Sequence, residues 1–212
     1  MAYFKCKGEV SEKIEYLYKW DFTKSLTDEV QGVTATLVNQ ASRDSAGVHF
    51  LHDLDAMNMS PNPINMNGKT IEIDIASFVF AGNLAHHVRF IMNAPSNTDS
   101  VYGTGILIRR YTNFKWNTYL PNSQATGNRW GDPWNIQDSD LNGHTLKMSC
   151  ADGNKLSMWI DDQLVDTKQG DYTYLNSTEC DYLRIGGCGY SANEGDQCYN
   201  MTITGIRIYN NQ

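Results

Sequence analysis

Apolar and polar residues alternate in short runs along most of this 212-residue chain. The clearest run spans 70–80. There Ile71, Ile73 and Ile75 point one way, and Glu72, Asp74 and Ala76 the other. Such a period of two predicts a half-buried strand. Further strands are predicted over 33–38, 47–51, 87–92, 105–111, 146–150, 155–160, 183–185 and 201–209. No apolar stripe at helical spacing reaches a dozen residues. Asp161-Asp162 separates two strand-like segments and predicts a tight hairpin. Asp-Asp is weak chemistry for it, because both central residues of a type I′ turn need positive φ. Residues 1–19 carry charge and some helix character. They read either as an N-terminal arm before a domain over 20–212, serving attachment or oligomerisation, or as that domain's first strand.

Composition supports an all-β chain. Charged residues make up only 19%, and polarity comes from Asn, Thr, Ser, Asp and Gly. Coiled coils and bundles need about half Ala, Glu, Lys, Leu and Arg, and disordered chains need few aromatics. Here aromatics reach 11%. The net charge of −7 argues against a nucleic-acid partner, which calls for a basic face. No apolar run approaches the ~20 residues of a membrane helix, so no membrane insertion is expected. The N-terminus lacks the apolar core of a secretory signal. Without such a signal, reduced thiols are expected for Cys6, Cys150, Cys180, Cys188 and Cys198, and as no pair shows C-x-x-C spacing no metal is assigned. No cofactor is expected, and a structural calcium ion cannot be placed on any residue.

Four places resemble a concanavalin-like, laminin-G-like jelly-roll lectin domain. They are the opening Trp20-Asp21-Phe22-Thr23-Lys24, the short strand Gly47-Val48-His49-Phe50, the segment from His144 through the hairpin to Val165, and the closing Gly205-Ile206-Arg207-Ile208-Tyr209-Asn210. Together they span about nine tenths of the chain. The resemblance implies an antiparallel two-sheet β-sandwich whose last strand returns beside the first. A second resemblance is shorter. Met1-Ala2-Tyr3-Phe4-Lys5-Cys6 looks like the start of virion-associated proteins of phages and prophages of gut bacteria, although their glycine run is replaced by Lys7-Gly8-Glu9. It implies a virion protein made in the host cytoplasm.

Laminarinase-type glycosidases share the jelly-roll fold and carry Glu-x-Asp-x-(x)-Glu on one strand. Glu72 and Asp74 match the first two positions, while the third falls on Ala76 or Ser77. Phe78, the next residue expected on that face, has no carboxyl either. Retaining hydrolysis needs a nucleophile and a proton-donating carboxyl, and general acid catalysis is worth ~10²–10⁴-fold. The chain is therefore expected not to be an enzyme. Adjacent His86 and His87 would face opposite ways on a strand, and His49 and His52 read as hydrogen-bonded or solvated.

Three of the five tryptophans fall between 116 and 134, among Asn, Ser, Gln, Thr and Gly. A sugar site needs a flat aromatic for the C–H face and fixed planar polar groups for the hydroxyls. Trp116, Tyr119, Trp130 and Trp134 could supply the first; Arg109, Asn128, Arg129 and Asp132 the second. The alternative is that two or more of these tryptophans are ordinary core, or that the segment serves protein–protein contact. The expected function is a non-enzymatic, lectin-like virion protein that binds carbohydrate or a bacterial surface. Its expected partners are other virion proteins and a second copy of itself. The competing readings are a structural decoration or fibre component without a glycan ligand, and a glycosidase with an incomplete carboxylate set.

Overall fold

Alternating Ile, Thr and charged residues make two long strands, β6 (Lys69–Phe80) and β15 (Tyr199–Asn210), which pair antiparallel along their whole length. In this computed structural model the described residues are 14–52, 55–61, 67–80, 88–89, 91–94, 107–110, 116–119, 134–151, 155–169, 182–186 and 199–211. The pair is the centre of an eight-stranded sheet. Beyond β6 lie β11 (Thr145–Ala151), β12 (Lys155–Ile160) and β13 (Gln163–Gln169). Beyond β15 lie β4 (Gly47–Phe50) and β3 (Ser42–Asp44), and β1 (Tyr16–Asp21) pairs with residues 205–209.

A four-stranded sheet is built from β2 (Ala35–Val38), β5 (Ala56–Met59), β14 (Tyr182–Gly186) and β8 (Ile91–Ala94). A three-stranded ribbon joins β7 (Val88–Arg89), β9 (Leu107–Arg110) and β10 (Trp116–Tyr119). Among the described residues every pairing between these strands is antiparallel. Ile71, Ile73, Met148, Ile206 and Ile208 of the large sheet share one buried cluster with Met57, Met59, Leu183 and Ile185 of the smaller one. The protein is thus an all-β antiparallel sandwich: the alternation implies the all-β class, and the jelly-roll resemblance implies the sandwich.

The chain enters the sheet at Tyr16, so Tyr16–Lys19 are strand and the boundary expected at Trp20 falls inside β1. Residues 1–13 lie outside the described residues, as do Cys6, Cys180, Cys188, Cys198, His86 and His87. Asp161 and Asp162 adopt φ of 46° and 64°, so the hairpin turn does take positive φ at both central positions.

Asp55 is fully buried, and its carboxylate accepts the amides of Gln40, Leu51 and His52, each at 2.9 Å. Three donors replace the hydration a buried charge gives up. One carboxylate thereby ties the turn after β2 to the loop after β4. His49 bridges Asp44 (2.8 Å) and Thr202 (3.1 Å), and His52 lies 3.3 Å from Asp55, so both are engaged with neighbours.

Candidate functional site

The chemistry-bearing residues collect on the face of the large sheet that turns away from the core. Along β11, buried Leu146, Met148 and Cys150 alternate with partly exposed Thr145, Lys147 and Ser149. Thr145 pairs with Asp74, Glu72 with Arg207, and Lys147 with Trp159. Four adjacent strands therefore bring these side chains onto one surface, since facing positions of neighbouring strands share a side.

Two β-bulges set which residues reach that face. On β15, Ile203 pairs with Ile75 and Gly205 with Asp74, so Thr204 is an extra residue. Ile203 and Arg207, four apart, would share a face of a regular strand. The bulge turns Ile203 into the core and leaves Arg207 partly exposed outside. On β6, Ser77 pairs with Thr202, so Ala76 is extra. Phe78 consequently faces the core, 5.7 Å from the Trp116 ring, which corrects the expectation that it shares a face with Glu72. Ala76 itself is exposed and brings no carboxyl.

Arg207 holds the centre. Its Nε donates to Glu72 Oε2 at 2.7 Å, and Nη1 and Nη2 donate to the two oxygens of Asp74 at 2.7 Å each. Thr145 Oγ1 donates to Asp74 Oδ1 at 2.8 Å, and the Tyr209 hydroxyl to Glu72 Oε1 at 2.6 Å. Gly205 makes room for the fork. A Cβ there would meet Asp74 Oδ2 at 2.9 Å and the Trp20 carbonyl at 3.2 Å. Burial opposes the Arg207 charge, but the hydrogen bonds to Asp74 and Glu72 outweigh it and push the guanidinium above its ordinary range. Burial, then the hydrogen bond to Glu72, pushes the Tyr209 phenol up, so it stays a donor.

An open groove of about 240 Å³ lies over this centre, lined by Glu72, Thr145, Lys147, Asp161, Asp162 and Arg207. That is below the ~300–1,000 Å³ of drug-sized pockets; it matches a small polar group. The hairpin turn forms its rim. Asp161 accepts the Thr145 amide at 2.8 Å and faces His144 Nδ1 at 2.5 Å, while Asp162 pairs with Lys147. The Thr145 amide, then the His144 ring, hold the Asp161 carboxyl below the usual carboxylate range. Lys147 Nζ also sits 5.4 Å from the Trp159 ring centroid, a cation–π distance. All four oxygens of Glu72 and Asp74 accept hydrogen bonds.

The aromatic segment behaves differently from its sequence reading. Trp116 and Trp134 are adjacent, with the Trp134 amide donating to the Trp116 carbonyl at 2.7 Å, and both are core at 0% and 2% exposure. Trp116 Nε1 donates to Asp138 Oδ1 at 3.2 Å, and Lys168 Nζ lies 5.5 Å from the Trp134 ring. Neither ring offers a face to a ligand, which corrects the sugar site at these two positions. Trp116 packs against Phe78, and Trp134 belongs to the same buried cluster. Arg109 lies on β9 opposite Asn117, and Tyr119 on β10 opposite Leu107, as far as backbone pairing places them. Asn128, Arg129, Trp130 and Asp132 lie outside the described residues.

Of the residues that form the groove, Glu72, Asp74, Asp161 and Asp162 stand out in the sequence, whereas Arg207 and Lys147 belong to no chemical motif. Arg207 alternates with Ile206 and Ile208, and Lys147 with Leu146 and Met148, which marks both as outward-facing. The bulges at Thr204 and Ala76 cancel in register, so they leave the pairing of Arg207 with Glu72 unchanged but swap the faces of both strands beyond them, and no local pattern announces that swap.

The fold and the groove define an antiparallel β-sandwich with a polar groove on its outer face. No known family model matches the sequence, and no curated protein matches it. Solved structures do match. One is a Trypanosoma rangeli sialidase in complex with 2,3-difluorosialic acid, at 12% identity and TM-score 0.62, covering 93% of this chain and 31% of that one. Another is the binding domain of botulinum neurotoxin DC in complex with rat synaptotagmin II, at 10% identity and TM-score 0.64, covering 92% and 48%. A third is the Emp47p carbohydrate recognition domain, at 11% identity and TM-score 0.59, covering 97% and 100%. The chain spans about three tenths of the sialidase and half of the toxin domain. At these identities the likeness establishes the fold.

Proposed function

We propose that the chain is a non-enzymatic, lectin-like recognition domain that binds carbohydrate through the outer-face groove. The observation that carries this reading is the Arg207 fork. It commits Glu72 and Asp74 to an ion-pair lattice at 2.7 Å, beside a cavity lined by polar side chains. Fixed planar donors and acceptors suit sugar hydroxyls. Half-buried Trp159 pairs with the groove residue Lys147 and adds an aromatic body beside it, one face under Lys147 Nζ. The Emp47p carbohydrate recognition domain, matched over its whole length, supports the same class. The setting we propose is a phage particle assembled in the host cytoplasm, where the domain meets a bacterial surface and docks on other virion proteins or its own copies. The opening Met1-Ala2-Tyr3-Phe4-Lys5-Cys6 supports that setting.

A glycan array tests the function. Wild type should bind at least one host-surface glycan, and Trp159→Ala or Lys147→Ala should lower that signal about tenfold. Silence across the array would leave the structural-component reading in its place. The sialidase match keeps a glycosidase in the comparison. Glycan hydrolysis that is abolished by Glu72→Gln would replace the lectin reading with an enzymatic one.

A further inference from the structure

We infer that the outer-face groove selects its sugar by charge, taking neutral and aminated glycans and refusing carboxylated ones. The inference rests on the lectin reading above and adds a ligand class to it.

The two cations at the site are already committed. Arg207 spends three of its five N–H donors on Glu72 and Asp74. Lys147 is held by Asp162. Around these two stand four carboxylates, Glu72, Asp74, Asp161 and Asp162. A ligand carboxylate reaching Arg207 would therefore lie beside Glu72 and Asp74, whose oxygens are 2.7 Å from the same guanidinium. Like charges that close are repulsive, and the groove's lining holds no Lys or Arg besides Lys147 and Arg207 to offset them. A hydroxyl meets no such penalty. It can accept from a remaining Arg207 N–H and donate to a carboxylate lone pair. An ammonium gains further at the rim, where the Asp161 and Asp162 side chains are 51% and 81% exposed.

The turn that carries the rim supports this use of its charge. Both residues sit at positive φ, where Asn-Gly is at ease and two aspartates are not. What Asp adds over Asn or Gly at these positions is negative charge facing the groove.

The test uses the full chain and one neutral glycan taken from the array, titrated calorimetrically at 0.15 M salt beside two derivatives. One has a primary hydroxyl oxidised to a carboxylate; the other bears a free amine. The oxidised form should bind at least tenfold more weakly than its parent, and the aminated form at least as tightly. Asp162→Asn, with its melting temperature checked, should recover at least threefold of the affinity lost on oxidation. Equal binding of oxidised and parent glycan by wild type overturns the inference and leaves the lectin reading standing. So does a discrimination that Asp162→Asn leaves unchanged, because the selectivity then lies outside this groove. An array with no bound glycan of any charge overturns both.

Discussion

Removing the Arg207 side chain tests the ion-pair lattice on which the site is built. Arg207→Ala deletes three charge-assisted hydrogen bonds of 2.7 Å and leaves Glu72 and Asp74 without their shared cation. The Glu72, Asp74 and Arg207 side chains are 14%, 27% and 24% exposed, so water reaches them only in part. Stripping one partner from a fully buried pair costs ~3–5 kcal/mol. Partial hydration lowers this to the bottom of that range, about 3 kcal/mol. Arg207→Lys keeps the charge but cannot fork onto both carboxylates, and should cost about 1–2 kcal/mol. The triple change Arg207→Met, Glu72→Gln, Asp74→Asn removes the charges together and should return to within about 1 kcal/mol of wild type. Urea unfolding reads all three, as a shift of midpoint at constant slope. A loss under about 0.5 kcal/mol for Arg207→Ala would refute the reasoning. Equal losses for Ala and Lys would refute the role given to the fork.

Replacing Asp161-Asp162 with Asn-Gly should raise stability by about 0.5–1 kcal/mol, since the turn then has residues suited to positive φ. The same change should weaken glycan binding, and an improvement in both would contradict the rim's proposed role. Gly186→Ala should destabilise by about 3 kcal/mol in urea unfolding. Its φ is 101°, and a Cβ would meet the Asp55 carbonyl oxygen at 2.4 Å. Asp21 has its pKa lowered to about 2 by hydrogen bonds from Lys24 and Thr23. Its contribution to stability is present above its unfolded pKa of ~3.9 and is lost as pH falls towards 2. Asp21→Asn should flatten that part of the acid-unfolding curve, and an unchanged slope between pH 4 and 2 would remove Asp21 from the account.

Much of the fold is written locally. The alternation of Ile71, Ile73 and Ile75 places β6, and residues 155–160 are strand as the pattern implies. β5 escapes the pattern because Ala56, Met57 and Met59 are buried while only Asn58 between them is polar, and its Met residues carry little strand signal. β10 escapes because its residues read as a polar loop with aromatics in it. The site is less legible than the fold. Glu72 and Asp74 stand out as a carboxylate pair, but their partner is 133 or more residues away, and the bulges at Thr204 and Ala76 hide which face each strand presents beyond them. A bulge shifts every later side chain by one face and leaves no mark in composition. Trp116 and Trp134 mislead for a related reason. Polar neighbours in sequence do not prevent a large ring from being buried by strands that arrive from elsewhere.

The most direct test of the account is where a bound glycan touches the protein. Titration of the isotopically labelled chain with an array-positive glycan should perturb the Trp159 indole and Arg207 Nε–H signals first, with the Lys147, Asp161 and Asp162 amides following. Perturbations confined to the segment between Arg109 and Trp134, with Trp159 and Arg207 unmoved, would contradict it.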